Sequence, residues 1–163
     1  NEDFDRSSDS YEVTVISRNT VIDGNISSFA DMDLQGNVKG NINTTKNIDV
    51  SGKIVGDIVC NNASMKGSSM QGNVSSKGQL HIDSDTILLG NINTQYADVN
   101  GKVKGNIEVG GKAELGSDAV IIGDINASTI SVLDGAVIQG YINTSQLQED
   151  SSKIFPESIA VGD

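Results

Sequence analysis

The chain has 163 residues, a formal net charge of −11, and three Phe, three Tyr and no Trp. So few aromatic side chains argue against an ordinary globular core, in which large rings supply much of the buried apolar area. The acidic balance argues against a nucleic-acid surface, which needs a patch of Lys and Arg, and no apolar run reaches the ~18 residues of a membrane-spanning helix.

The N-terminal residues differ from the rest of the chain in charge and pattern. Residues 1–12 carry five acidic side chains against one arginine, which predicts a flexible acidic arm. Apolar residues typical of a strand first occur at Val13, Val15 and Ile16. We therefore expect the folded domain to begin at residue 13.

From residue 13 to residue 144 the chain repeats one motif eight times: a glycine, usually Asn or Asp after it, then Ile or Val. Successive glycines are separated by 16, 16, 16, 18, 15, 18 and 17 residues. This period is too short for a helical-hairpin or propeller repeat and is typical of one coil of a β-solenoid. The repeated glycines are Gly24, Gly40, Gly56, Gly72, Gly90, Gly105, Gly123 and Gly140.

Each repeat contains three short segments in which apolar and polar residues alternate, as in strands with one buried face. One segment is the Gly-x-Ile motif, one precedes the glycine, and one follows it at a distance of about eight to ten residues. Three strands and three bends per coil predict a triangular cross-section. The sequence therefore predicts an all-β, single-stranded β-solenoid of about 7–8 coils over residues 13–144.

Stacking the coils in register places equivalent residues above one another at about 4.8 Å. The fourth position after each glycine is always a small residue, which predicts a buried column that includes the single cysteine, Cys60. The alternative for Cys60 is a reactive thiol. Asn and Asp directly after the glycines predict a structural ladder at the corner, because both tolerate left-handed backbone and cap neighbouring turns. Cys60 excludes an internal disulfide and is typical of a reducing compartment.

One outward column is predicted to combine carboxylates with the only histidine. Carboxylates spaced by about 5 Å could bind Ca²⁺, but interruptions by Ser and His favour a solvated acidic stripe and no metal site. His81 lies between inward Leu80 and Ile82, so we expect it to face solvent and not to act as the catalytic histidine of a left-handed β-helical acyltransferase. The column comprises Asp33, Asp49, Ser64, His81, Asp98, Glu114 and Ser131.

Two repeats break the alternation just before their glycine, at residues 87–89 and 120–122, where three consecutive apolar residues cannot all point inward. Leu89 and Ile122, with Val55, are therefore candidates for an exposed strip that makes lateral or membrane contacts. Alternatively, the extra residues of these longer coils bend the corner and bury the strip. Four lysines on a face other than the acidic stripe are interpreted as solubility charges: Lys39, Lys53, Lys102 and Lys104.

The two ends of a solenoid carry unpaired strand edges, which proteins either cap or pair with another chain. No capping helix is evident before residue 13. Residues 145–163 lose the glycines and the alternation, which predicts a tail that is mostly disordered or folded over the last coil. The end-coil residues Val13, Val15, Ile138 and Ile142 are therefore predicted to mediate polymerisation.

The repeated text Val38-Lys-Gly-Asn-Ile42, Ile54-Val-Gly-Asp-Ile58 and Val103-Lys-Gly-Asn-Ile107 resembles the bactofilins, bacterial polymer-forming cytoskeletal proteins. The resemblance covers residues 13–144. It implies a right-handed triangular β-helix that polymerises end to end without nucleotide, often on the inner face of the membrane. Two features depart from the family: the acidic residues 1–12 lack its short apolar and basic targeting stretch, and the repeated body is one or two coils longer.

We therefore predict a non-enzymatic scaffold that forms filaments of itself, localises partners or supports cell shape, and needs no cofactor. The resemblance implies a cytoplasmic location at the membrane, with the membrane and cell-envelope or cell-wall enzymes as candidate partners. Nucleic acid is not expected, nor is nucleotide, since the sequence lacks a phosphate-binding Gly-Lys-Ser/Thr loop. Two alternatives stay open: an acyltransferase-like β-helix that depends on His81, and a β-helical binding module that does not polymerise.

Overall fold

The computed structural model describes residues 12–144 and 150–162. Residues 1–11 of the predicted arm lie outside the described residues, as do residues 145–149 and 163 of the predicted tail. The described chain consists of short β-strands and a single helical turn, α1 (Ser151–Ile154).

Each coil contributes three strands in turn. The first four coils contain β1 (Val13–Ile16), β2 (Val21–Asp23), β3 (Ile26–Ser28), β4 (Asp31–Leu34), β5 (Asn37–Lys39), β6 (Ile42–Thr44), β7 (Ile48–Val50), β8 (Lys53–Val55), β9 (Ile58–Cys60), β10 (Ala63–Met65), β11 (Ser69–Gln71) and β12 (Val74–Ser76). The last four contain β13 (Gln79–Ile82), β14 (Ile87–Leu89), β15 (Ile92–Thr94), β16 (Tyr96–Val99), β17 (Lys102–Lys104), β18 (Ile107–Val109), β19 (Lys112–Leu115), β20 (Val120–Ile122), β21 (Ile125–Ala127), β22 (Thr129–Val132), β23 (Val137–Gln139) and β24 (Ile142–Thr144).

Equivalent strands of successive coils pair in parallel and build three eight-stranded sheets. Sheet 1 runs β1-β4-β7-β10-β13-β16-β19-β22, sheet 2 runs β2-β5-β8-β11-β14-β17-β20-β23, and sheet 3 runs from β3 through every third strand to β24. The chain thus visits the three sheets in order and returns one coil further along. This confirms the predicted all-β triangular β-helix, which has eight coils.

The core is a set of apolar columns that run along the solenoid. In sheet 3, for example, Ile42, Ile58, Val74 and Ile92 pair in register and are each 1% exposed. Parallel sheets usually have both faces covered, but each sheet here packs only its inner face against the other two. The outward face of every sheet therefore remains available for contacts with other molecules.

A column of glycines forms the corner between sheets 2 and 3. Their φ angles lie between 144° and 156°, a region that favours glycine. A Cβ on Gly90 would lie 1.9 Å from the carbonyl oxygen of Gly72 one coil earlier. The repeated glycine is therefore required twice, by the backbone angle and by the close approach of neighbouring coils.

The residues after these glycines form the predicted ladder. The backbone N–H of Asn91 donates to Oδ1 of Asn73 at 2.9 Å, and that of Asn106 donates to Oδ1 of Asn91 at 2.9 Å. Seven such bonds of 2.8–3.1 Å link Asn25 through to Tyr141. Among the described residues only glycines have positive φ, so Asn and Asp are needed here as side-chain acceptors and not for left-handed backbone.

Candidate assembly surfaces

The column of small residues lies inside the solenoid, as predicted. Cys60 is 2% exposed, and burial raises the pKa of its thiol to about 11, although a hydrogen bond with Ser76 acts in the opposite direction. Since the thiolate is the nucleophilic form of cysteine, Cys60 is a packing residue, and the alternative of a reactive thiol is not supported.

The first coil presents its valines outward. Val13 and Val15 are 52% and 55% exposed and lie in register with Asp31 and Asp33 on the outer face of sheet 1. The inward positions of β1 belong to Thr14 and Ile16, which pair with buried Met32 and Leu34. At this end of the core, Ile16 with the half-buried Ile22 and Ile26 therefore provides the apolar surface.

The last coil continues the core columns to their end. Ile138 pairs with Ile121 and Ile142 pairs with Ile125, and both partners are fully buried. Ile142 itself is 41% exposed, because β24 is the last strand of sheet 3 and no coil among the described residues covers it. The same holds for Val132 of β22, which is in register with buried Leu115. This end of the solenoid therefore exposes side chains that every interior coil buries.

The described part of the C-terminal tail, residues 150–162, is exposed throughout. Its helical turn α1 begins after Asp150, whose side chain accepts a hydrogen bond from the backbone N–H of Ser152 at 3.1 Å. Ile154 and Phe155 remain 46% and 63% exposed. These apolar side chains are thus not buried against the core.

The outward face of sheet 1 is acidic and carries the predicted column in register, preceded by Val15. His81 faces outward, as predicted, and its Nδ1 lies 3.1 Å from Oδ2 of Asp98. Lys112 Nζ lies 3.0 Å from Oε1 of Glu114. Within residues 12–144 and 150–162, no group of three or more His, Cys, Asp or Glu side chains could hold a metal ion.

The candidate strip lies on the outward face of sheet 2. Val55, Leu89 and Ile122 are 49%, 47% and 45% exposed, so the alternative in which the longer coils bury them is wrong. The extra residues instead form turns at 84–85 and 117–118, before β14 and β20. The strip is not continuous, because polar residues separate Val55, Leu89 and Ile122 from one another. In order along the solenoid, the complete column is Asp23, Lys39, Val55, Gln71, Leu89, Lys104, Ile122 and Gln139.

The four lysines interpreted as solubility charges share this same face. We define the basic apolar face as the outward side of sheet 2, in which the column just described runs beside a second one. The sequence analysis missed this combination of lysines and aliphatic residues on one face. The signal was present in the sequence, because the residues one and three positions before each corner glycine both point outward. The second column contains Val21, Asn37, Lys53, Ser69, Ile87, Lys102, Val120 and Val137.

Sheet 3 presents a nearly uncharged outward face with one residue per strand. Its single ionisable side chain, Glu108, accepts a hydrogen bond from Nδ2 of Asn126 at 3.0 Å. The three sheets therefore expose an acidic, a basic apolar and a neutral polar surface. The outward residues of sheet 3 are Ser27, Asn43, Val59, Ser75, Asn93, Glu108, Asn126 and Asn143.

A carboxylate holds the turn that lengthens the fifth coil. Oδ1 of Asp83 accepts hydrogen bonds from the backbone N–H groups of Gly67 and Asp85 and from the hydroxyl of Thr86, at 3.0, 3.1 and 2.9 Å. Although partial burial alone would raise the pKa of Asp83, the donors from Gly67, Thr86 and Asp85 hold it below its ordinary value. The ionised carboxylate thus ties two neighbouring coils together.

Across residues 12–144 and 150–162, no helix has the length and apolarity needed to cross a membrane. The family model described as "Bactofilin: Polymer-forming cytoskeletal" matches residues 14–96 and again residues 66–143. Together the two matches span nearly the whole solenoid. The sequence matches no curated protein and no solved structure.

Proposed function

The chain belongs to the bactofilin family, and from this premise we propose that it is a bacterial cytoskeletal scaffold that assembles end to end into filaments without nucleotide. The observation that carries the proposal is the exposure of core columns at the last coil. Ile142 is 41% exposed, whereas Ile125, one coil earlier in the same column, is 0% exposed.

Each end of the solenoid also offers three strand edges. β1, β2 and β3 lie at one end of their sheets and β22, β23 and β24 at the other. An edge strand presents unpaired N–H and C=O groups that can pair with another chain. A second copy stacked on the end would extend all three sheets at once and bury the exposed apolar side chains. Hydrogen bonding and apolar burial therefore favour the same axial contact.

The four end residues predicted to mediate polymerisation occupy two kinds of position, inside the core columns and on the outer face of the solenoid. Ile138 and Ile142 lie in the core columns and would be covered directly by an added coil. Val13 and Val15 lie on the outer side of β1, where they would flank the junction and not fill it. At the first coil we assign the covered position to Ile16, which packs against the core.

We further propose that the filaments lie at the cytoplasmic face of the membrane and localise cell-envelope or cell-wall enzymes. The role is non-enzymatic. His81 is half-exposed on the outward face of sheet 1, in a depression that Tyr96 and Lys112 also line, and its Nδ1 lies 3.1 Å from Oδ2 of Asp98. Replacement of His81 by Ala should leave filament formation unchanged. Loss of an acyl-CoA-dependent activity in that variant would instead support the acyltransferase alternative.

Light scattering of the purified chain as a function of concentration, followed by electron microscopy, tests the filament proposal. We expect filaments above a threshold concentration, with the same threshold after apyrase and EDTA treatment, because axial stacking uses strand edges and apolar side chains alone. A monomer at every concentration would contradict the proposal and favour a β-helical binding module.

A further inference from the structure

We propose that the basic apolar face of sheet 2 is a membrane-binding surface that docks on anionic lipid headgroups. This inference deepens the membrane location within the proposed function, since it assigns that location to one side of the rod. It concerns the side of the solenoid and not its ends, so it can be tested separately from polymerisation.

The face interleaves lysines with aliphatic side chains. Lys104 pairs in register with Leu89 on one side and Ile122 on the other, and Lys102 pairs with Ile87 and Val120. Two adjoining shallow depressions on this face share Ile87 and Leu89 in their lining. Lysine stems can cover such apolar surface while their ammonium groups reach outward. This arrangement suits a bilayer surface, where aliphatic groups enter the headgroup region and ammonium groups meet phosphates.

The lysines of this face are available to a partner. Among residues 12–144 and 150–162, the ion pairs are His81–Asp98 and Lys112–Glu114, both on sheet 1. The basic apolar face itself carries one carboxylate, Asp23, against four lysines. In a chain of net charge −11, an anionic surface repels the molecule as a whole and attracts this side, which would orient the rod.

A second copy of the chain fits this face less well than an anionic bilayer does. Two basic apolar faces packed together would place lysines against lysines, with only Asp23 of each copy to neutralise them. Packing against the acidic face of sheet 1 would set Leu89 and Ile122 opposite carboxylates such as Asp33 and Asp49. The lysines would pair with some of these carboxylates, whereas the carboxylates covered by Leu89 and Ile122 would be desolvated without a partner, which is costly. Anionic lipid offers the lysines phosphate groups and the aliphatic side chains an apolar region at the same time.

Co-sedimentation with vesicles tests the assignment, using phosphatidylcholine alone and phosphatidylcholine mixed with phosphatidylglycerol. The intact chain should bind the anionic vesicles and not the neutral ones, and rising salt should weaken binding. Lys102→Glu/Lys104→Glu should reduce the affinity by about 30-fold or more. The matched control is Lys46→Glu/Lys77→Glu, which makes the same charge change at the corner between sheets 3 and 1, opposite sheet 2.

A second pair of variants tests the apolar contribution. Leu89→Gln/Ile122→Gln should also weaken binding, whereas Val59→Gln on the outward face of sheet 3 should not. The fold should tolerate these changes, because Gln71 and Gln139 already occupy the same outward column as Leu89 and Ile122. Circular dichroism of each variant would verify that the solenoid is intact.

Several results would overturn the inference: equal binding to neutral vesicles, no binding to either kind, or equal losses in the sheet 2 variants and their controls. A change in filament bundling by Lys102→Glu/Lys104→Glu without any change in vesicle binding would assign the face to a second copy and overturn it as well. Electron microscopy of the same samples separates the two proposals. Filaments that do not bind vesicles would contradict only the membrane face, and vesicle binding without filaments would contradict only polymerisation.

Discussion

The substitution Ile→Asp, made once in the middle and once at the end of the inward column of sheet 3, should distinguish residues needed for folding from residues needed for polymerisation. Ile92 and Ile142 both point inward from sheet 3, but Ile92 is 1% exposed and Ile142 is 41% exposed. Ile92→Asp removes about 2–3 kcal/mol of apolar burial and leaves an unpaired carboxylate in the core, which costs several kcal/mol more. The total of more than about 5 kcal/mol approaches the entire stability of a typical domain.

At the end coil the same change has a different effect. The introduced carboxylate would remain in contact with water in the monomer, so Ile142→Asp should cost only about 1 kcal/mol of folding stability. In a filament that carboxylate would be buried at the junction, and polymerisation should be abolished. Because each coil of a solenoid contacts only its neighbours, damage at the end stays local.

Far-UV circular dichroism and sedimentation measure the two effects separately. We expect Ile92→Asp to lose β structure, and Ile142→Asp to keep the spectrum and melting behaviour of the intact chain while it sediments as a monomer. Filaments of normal appearance from Ile142→Asp would refute the reasoning, because they would show that the last coil is not part of the junction.

Three further predictions concern the solenoid itself. Gly90→Ala should destabilise the fold by more than about 3 kcal/mol, because a Cβ there meets the carbonyl oxygen of Gly72 at 1.9 Å. The control is Gly67→Ala, where no atom lies within 4 Å of the added Cβ. Thermal melts should show that this control costs only about 1–2 kcal/mol of stability. Cys60 should resist iodoacetamide at pH 8 in the folded chain and react after unfolding, because burial raises its thiol pKa to about 11; rapid labelling of the folded chain would argue against a buried thiol. The pKa of Asp83 is lower in the folded state than its ordinary value, so its stabilisation should be present above about pH 4 and lost as pH falls through the folded pKa. Denaturant titrations of Asp83→Ala and the intact chain should therefore differ at neutral pH and converge at low pH, and a constant difference would contradict this assignment.

Much of the fold could be predicted from the sequence, because the glycine motif marks the same corner in every coil. Counting from each glycine assigned Ile42, Ile58 and Ile92 to the interior, where the structure places them. The first strand could not be assigned in this way, since no glycine motif precedes it. Val13 and Val15 are apolar, as are the residues at inward positions of other strands. Only their pairing with Asp31 and Asp33 shows that they face outward.

The candidate surfaces were predicted less completely than the fold. Alternation identified Leu89 and Ile122 as residues that cannot point inward, and the structure confirms their exposure. Their neighbours on the surface come from other coils, so the combination with Lys104 depends on the register between coils. The insertions at 84–85 and 117–118 change the coil length without shifting that register, which the spacing of 18 residues alone could not establish.

Cryo-electron microscopy of filaments formed without nucleotide tests the central claim most directly. If the ends stack, strands will run perpendicular to the filament axis, and eight coils at about 4.8 Å will give an axial rise of about 38 Å per subunit. Density at the junction should show Ile138 and Ile142 covered by the next subunit. Filaments in which the solenoid axes lie side by side across the filament, with open ends, would contradict end-to-end assembly.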